Sequence, residues 1–174
     1  MTTIVRLVLN TIVVYCGLVV VLNVVGLTLP AHTTRTCGIT LAVPITDAFS
    51  VLSDIGAMPK WNRNACTVSN SSPLGDAETR LHTLGGNLVV TMVPTESDPP
   101  YRLVTALGTK TAPYSAKWIY ELSPTSAGNS RVTLTEQVRV SKPLARVLLR
   151  CFHPEKLLQQ DLEDLKGNFR RRKP

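Results

Sequence analysis

The stretch PLARVLLRCFHPEKLLQQDLEDLKGNF, residues 143–169, decides how this chain folds. It is entered through Ser141-Lys142-Pro143, a serine able to cap a helix and a proline in the first turn, where a missing N–H costs nothing. Leu144, Val147, Leu148, Cys151 and Phe152 then recur at spacings of three and four, which predicts one apolar helical face. Pro154 interrupts the pattern and predicts a kink or brief break. The face resumes at Leu158, Leu162, Leu165 and Phe169, leaving Gln159, Gln160, Asp161, Glu163 and Asp164 to other faces. Upstream lie alternating, strand-like runs with little helix among them. A sheet followed by one long amphipathic helix predicts an α+β fold in which a curved antiparallel sheet wraps that helix.

Working outward, the strands are bounded by turn residues. Residues 36–43 alternate, with Cys37, Ile39, Leu41 and Val43 on one face, and Pro44 closes the run. Thr46 or Asp47 is placed to cap a short helix carrying Ala48, Phe49, Val51 and Leu52, and a second short helical stretch ends at Trp61. Five or six more strands follow: 65–69, 79–84, 88–93, 101–107, 117–123 and 131–140. Residues 94–100 read as a loop, because Pro94 and Pro99-Pro100 interrupt any ladder.

At the other end, no fixed charge lies between Arg6 and Arg35. Residues 7–29 form an apolar run that, as a helix at ~1.5 Å per residue, covers roughly 35 Å and exceeds the ~30 Å hydrocarbon core. A cleaved signal peptide is the competing reading, but its apolar region is normally shorter, and Leu29 stands where a small residue is wanted before Ala31. The run therefore reads as an uncleaved single-pass anchor, with a slight bias toward an inside N-terminus. The organisation expected is an anchor over 1–30, a polar tether over 31–35, one domain over 36–169 and a basic tail over 170–174.

The net charge of +7 and pI of 9.5 do not describe the domain. Residues 31–165 hold 13 Lys/Arg against 12 Asp/Glu, whereas Lys166 and Arg170 to Lys173 supply five positive charges by themselves. A nucleic-acid surface would spread basic residues over one face, so no nucleic-acid partner is expected. The four cysteines, Cys16, Cys37, Cys66 and Cys151, form no C-x-x-C and predict no metal site; spacing alone does not establish a Cys37–Cys66 bridge.

Certain motifs in this order are more specific. They are Pro44-Ile45-Thr46-Asp47-Ala48-Phe49 leading to Leu52-Ser53-Asp54, then Pro59-Lys60-Trp61, then Lys117-Trp118 with Tyr120-Glu121-Leu122. Arg131-Val132-Thr133-Leu134-Thr135-Glu136 and Leu162-Glu163-Asp164-Leu165-Lys166 complete the set. Over residues 36–169 the chain resembles the Bet v 1-like, START-related helix-grip superfamily (SRPBCC), most closely its polyketide cyclase/dehydrase and lipid-transport branch. The glycine-rich loop of the plant allergens is missing after the second strand, and the N-terminal anchor is an addition. The resemblance implies an internal cavity for an apolar small molecule, a lipid, sterol or polyketide-like compound, with no cofactor and with Trp61 near its entrance.

Side chains alternate along a strand, so the inward set can be read directly. Glu136 falls among Val132, Leu134, Val138 and Val140. An inward acid needs a partner, a water or a raised pKa. It is a polar anchor for a ligand, a general acid, a charge at the cavity mouth, or a charge paired with an inward basic group. Trp118 and Tyr120 share one face and suit either a cavity lining or core filling. The expected wall is Trp61, Trp118, Tyr120, Leu134, Glu136 and Val138, with Leu148, Phe152 and Leu158 from the helix. No nucleophile–base pair, G-x-S-x-G or phosphate-binding loop is present, and neither His82 nor His153 has motif support. Binding or transfer of a hydrophobic molecule at a membrane is thus expected. A cyclase, dehydratase or hydrolase using the same cavity is the alternative, and a ligand-free interaction module a third.

Overall fold

A computed structural model describes residues 2–70, 77–83, 86–108, 114–125, 128–151 and 154–172. Helix α1 (Thr2–Thr28) leads into β1 (His32–Leu41), α2 (Ile45–Ser53), a 3-10 turn (Ile55–Ala57) and α3 (Met58–Trp61). Strands β2 (Ala65–Asn70), β3 (Ala77–Thr83), β4 (Gly86–Asp98), β5 (Arg102–Gly108), β6 (Tyr114–Pro124) and β7 (Ser130–Val140) follow. Helices α4 (Pro143–Cys151) and α5 (Pro154–Arg172) complete the order.

The seven strands form one antiparallel sheet in the order β1-β7-β6-β5-β4-β3-β2. Five hairpins link β2 through β7, and the first strand returns beside the last, so β1 and β7 meet at one end of the sheet. The concave face is built by the alternation expected of a half-buried sheet. Ile39 and Leu41 of β1, Val132 and Leu134 of β7, Trp118, Tyr120 and Leu122 of β6, and Leu103 and Leu107 of β5 enter one hydrophobic cluster. Leu158, Leu162 and Leu165 of α5 join it from the opposite side, with Phe169 packed at its edge. Burying each such side chain contributes roughly 1.5–3 kcal/mol relative to leaving it in water. The grip of sheet on helix is therefore mostly an aliphatic contact.

The interruption expected at Pro154 falls against residues 152–153, which lie outside the described residues; α4 and α5 are described on either side of them. Other expectations need correction. Residues 31–35, read as a tether, are largely the start of β1: His32 pairs with Arg139 and Arg35 with Glu136. Neither Thr46 nor Asp47 caps α2; Pro44 occupies the cap position, with no side-chain bond, and Asp47 lies in the first turn, where its charge suits the helix dipole. Residues 94–98 are not a loop but the end of β4, whose register to β5 shifts between Pro94 and Glu96. An irregularity lets the strand continue past a residue that cannot donate to the ladder. Cys37 is a free, half-buried thiol.

Helix α1 contains a 25-residue stretch, Ile4–Thr28, of mean hydropathy 2.4, and is long and apolar enough to cross a membrane. Val5, Leu7, Val14, Tyr15 and Val21 on it are all exposed. Buried inside protein it would be a core helix; with these side chains outward, water is a poor solvent for it.

Candidate functional site

The register of the sheet brings four inward residues into one transverse row. Arg35 of β1 stands opposite Glu136 of β7, Glu136 opposite Trp118 of β6, and Trp118 opposite Thr105 of β5. At ~4.8 Å per strand spacing the row is roughly 14 Å long. The Arg35 guanidinium approaches the Glu136 carboxylate at 3.4 Å, and Trp118 Nε1 donates to Glu136 Oε1 at 3.0 Å. Glu136 is thus held from both neighbouring strands, with its side chain only 14% exposed. Of the arrangements open to it, the structure shows the pairing with an inward basic group, with an indole N–H on its other oxygen. Arg35 had no place in the sequence reading because β1 begins earlier than its apolar alternation.

Trp118 and Tyr120 meet edge to face, with ring centroids 6.4 Å apart and planes at 86°, a favourable quadrupole arrangement. Both are buried. Burial is the main cause that drives the Tyr120 phenol far above its ordinary range, and the negative fields of Asp161 and Glu136 push it the same way. Tyr120 therefore stays a neutral hydroxyl.

A second polar group faces this row from α5. Asp161 is 9% exposed and shares the buried side of the helix with Leu158, Leu162 and Leu165. Its Oδ1 accepts from the side-chain amides of Asn62 at 3.1 Å and Asn64 at 2.9 Å. Asn62, 1% exposed, in turn accepts from the backbone N–H of Asn64 at 2.8 Å. One turn on, Asp164 accepts from the backbone N–H and guanidinium of Arg63. The run Asn62-Arg63-Asn64 after α3 is therefore stitched to α5 by two carboxylates. Burial pushes the Asp161 carboxyl up to about 6; the Asn64 and Asn62 amides pull it down, and the charges of Asp164 and Glu136 raise it further. Sequence reasoning placed Asp161 off the apolar face. The missed signal was its spacing: three residues after Leu158 and four before Leu165, it falls within the apolar stripe.

The third feature is Trp61. Its ring is buried, and its Nε1 has no hydrogen-bond partner among the described residues. Trp61 lines a small enclosed space of about 10 Å³ with Leu52, Met58, Met92, Thr105 and Tyr120. That volume holds about one water molecule. The large gap expected between sheet and helix is not seen at this point, because Met58 and Trp61 of α3 descend into it and belong to the core.

Of the expected wall residues, Trp61, Trp118, Tyr120, Leu134 and Leu158 are brought together in the core, with Glu136 in the adjoining row. Val138 is half-buried farther along β7. Leu148 stands apart: it is 49% exposed on α4, which packs against α1. Phe152 lies outside the described residues.

Residues 31–172 match the protein-family model described as "Polyketide cyclase / dehydrase and lipid transport". No curated protein matches the chain. Among solved structures, a START superfamily protein from Mycobacterium smegmatis aligns with a TM-score of 0.68 at 14% identity, covering 79% of this chain and 97% of that one. The Zhui aromatase/cyclase from Streptomyces sp. R1128 gives 0.69 at 15% identity, with 81% and 95% coverage. A conserved protein from Geobacillus kaustophilus gives 0.66 at 15% identity, with 80% and 96% coverage. At these identities the likeness is one of fold.

Proposed function

The chain belongs to the polyketide cyclase/dehydrase and lipid-transport family, and from that premise we propose that it binds a hydrophobic small molecule between sheet and C-terminal helix and carries it at a membrane. The ligand is a lipid, sterol or polyketide-like compound, mostly hydrocarbon or aromatic, with one oxygen that accepts a hydrogen bond. The observation that carries this reading is the buried Nε1 of Trp61, which has no partner among the described residues and lies beside Tyr120 and Thr105. A buried donor without an acceptor costs about 1–3 kcal/mol, a cost that a ligand carbonyl or hydroxyl would remove. The apolar α1 supplies the anchor, the sheet and helices from β1 through α5 the binding domain, and Trp118, Tyr120, Leu134, Glu136 and Leu158 the deeper wall. Entry of anything larger than a water requires α3 to move, since its Met58 and Trp61 fill the space now.

Native mass spectrometry of the full-length chain, purified in detergent and offered fatty acids and sterols, tests this. Wild type is expected to retain one ligand per chain, and Trp61→Phe to lower the bound fraction about tenfold by removing one buried hydrogen bond. Failure of wild type to retain any member of a panel of fatty acids, sterols and polyketide mimics would sink the cavity reading.

A cyclase- or dehydratase-type reaction in the same space is the second reading, and Asp161 favours it. A carboxyl that keeps its proton up to about pH 6, buried near Tyr120, suits proton donation to a ketone oxygen. Turnover of a polyketide mimic, lost in Asp161→Asn with binding retained, distinguishes this reading from carriage alone.

A further inference from the structure

The junction between α1 and the domain is built rather than loose. At Gly26 the two backbones meet: a Cβ there would overlap the carbonyl of Pro143, the first residue of α4. Arg146 of α4 spans the end of α1, its Nη1 donating to the carbonyls of Gly26 at 3.3 Å and Leu29 at 3.2 Å. Its Nε donates to Val140 O at 3.1 Å, and the backbone N–H of Val140 donates to Ala31 O at 2.8 Å. One guanidinium thereby satisfies carbonyls at the end of α1 that have no helical partner, and fixes α4 beside them.

The covered face of α1 is a single stripe. Val19, Leu22, Asn23 and Leu29 are half-buried and Gly26 is buried, while residues 4–18 are exposed all round. Those 15 residues are roughly 22 Å of helix, short of the ~30 Å hydrocarbon core. A span therefore has to use residues 19–28 as well, and α4, packed on that part of α1, then lies at the same depth. The composition of α4 suits this position. Leu144, Val147 and Leu148 alternate with Arg146 and Arg150 at helical spacing, and Leu148 is 49% exposed. Lys142 just before the helix and Arg150 near its end are both exposed. An exposed leucine between basic ends is the pattern of a helix lying in the plane of a bilayer surface.

We infer that α4 is seated in the phospholipid leaflet from which α1 emerges, with Leu148 among acyl chains and its basic ends at lipid phosphates. This rests on α1 crossing a bilayer, as in the function proposed above. It makes the start of the C-terminal helical region part of the membrane, so that the domain is held against the bilayer rather than tethered near it. The basic end of α5 is not part of this contact: Phe169 and Arg170 line a groove with Leu41 and Val43, at the far end of β1 from α1.

Photo-cross-linking in the full-length chain, reconstituted in phosphatidylcholine/phosphatidylglycerol vesicles, tests the inference. Benzoylphenylalanine is placed singly at Leu148, at Val14 within α1, and at Ser50, an exposed α2 position beyond the far end of β1. Lipid adducts at Leu148 are expected within about twofold of those at Val14 and roughly tenfold above those at Ser50, as for any side chain in contact with acyl chains. Adducts at Val14 with Leu148 at the Ser50 level would overturn the placement of α4 while leaving the anchor intact. Adducts at neither position would overturn the anchor, and the placement of α4 with it.

Discussion

Lowering the pH from 8 to 4 should stabilise the wild-type protein by about 2 kcal/mol relative to Asp161→Asn, from this one carboxyl. The direction follows from the folded pKa of about 6 against an ordinary value of 3.8. Between those limits the unfolded chain has an ionised Asp161 while the folded chain keeps the proton. The folded state thus binds more protons, and stability falls as pH rises through the window. Above pH 6 the penalty of a buried charge is fully present; below about 4 it is gone. Asparagine keeps an acceptor for the amides of Asn62 and Asn64 and removes the charge, so the variant should lack this contribution and be more stable than wild type at pH 8. Trp61 and Trp118 are the only tryptophans of the chain and both are buried, so their fluorescence reports core unfolding in urea with α1 held in a micelle. Urea midpoints of wild type and Asp161→Asn that run parallel from pH 8 to pH 4 would show that Asp161 is not buried as described.

That a protein retains such a group bears on function. Leucine at position 161 would extend the stripe of Leu158, Leu162 and Leu165, yet an acid stands there with two asparagines arranged to receive it. Buried polar groups that cost stability recur at functional sites, though structural networks share the property. Here the carboxylate has an evident structural task as well, joining the chain after α3 to α5. A ligand entering past Trp61 must move α3, and the Asn62–Asp161 tie sits next to that residue.

The legible parts of the chain were those with a regular period. Period-two alternation gave the inward sets of β6 and β7, and with them Glu136, Trp118 and Tyr120, because a half-buried sheet leaves no choice of face. Spacing of three and four gave Leu158, Leu162 and Leu165. Polar residues inside those patterns were harder to place. Arg35 follows the correct alternation with Cys37 and Ile39, but a charge and three threonines disguise the start of β1 as a tether. It is tolerated inward because Glu136 stands directly across the ladder, a pairing that only the sheet order reveals. Asp161 was left off the apolar face; its partners are about a hundred residues away, and nothing local announces them. Leu148 was placed in the cavity wall because the apolar faces on either side of Pro154 look continuous. In the structure α4 packs on α1, whereas α5 packs on β1 and α3.

Trp118→Ala should lower the unfolding free energy by about 4 kcal/mol, in the range for deleting a large buried aromatic. Three contacts vanish together: the packing of the indole on the concave face, its edge-to-face contact with Tyr120, and the Nε1 bond to Glu136. Trp118→Phe separates these. It keeps a ring against Tyr120 but removes the N–H, and should cost about 1–2 kcal/mol, since Glu136 loses a charge-assisted bond in a low-dielectric place. A double-mutant cycle between Trp118→Phe and Glu136→Gln isolates the charge-dependent part of that bond, expected to be about 1 kcal/mol. Urea denaturation followed by far-ultraviolet circular dichroism, which needs no tryptophan, gives all four corners. A loss below about 1 kcal/mol for Trp118→Ala would mean that the indole is not packed as described. A coupling near zero would mean that the Trp118–Glu136 bond is not made in solution. If the bond is made and the proposed ligand also reaches this row, Trp118→Phe should weaken ligand retention beyond what its stability loss explains.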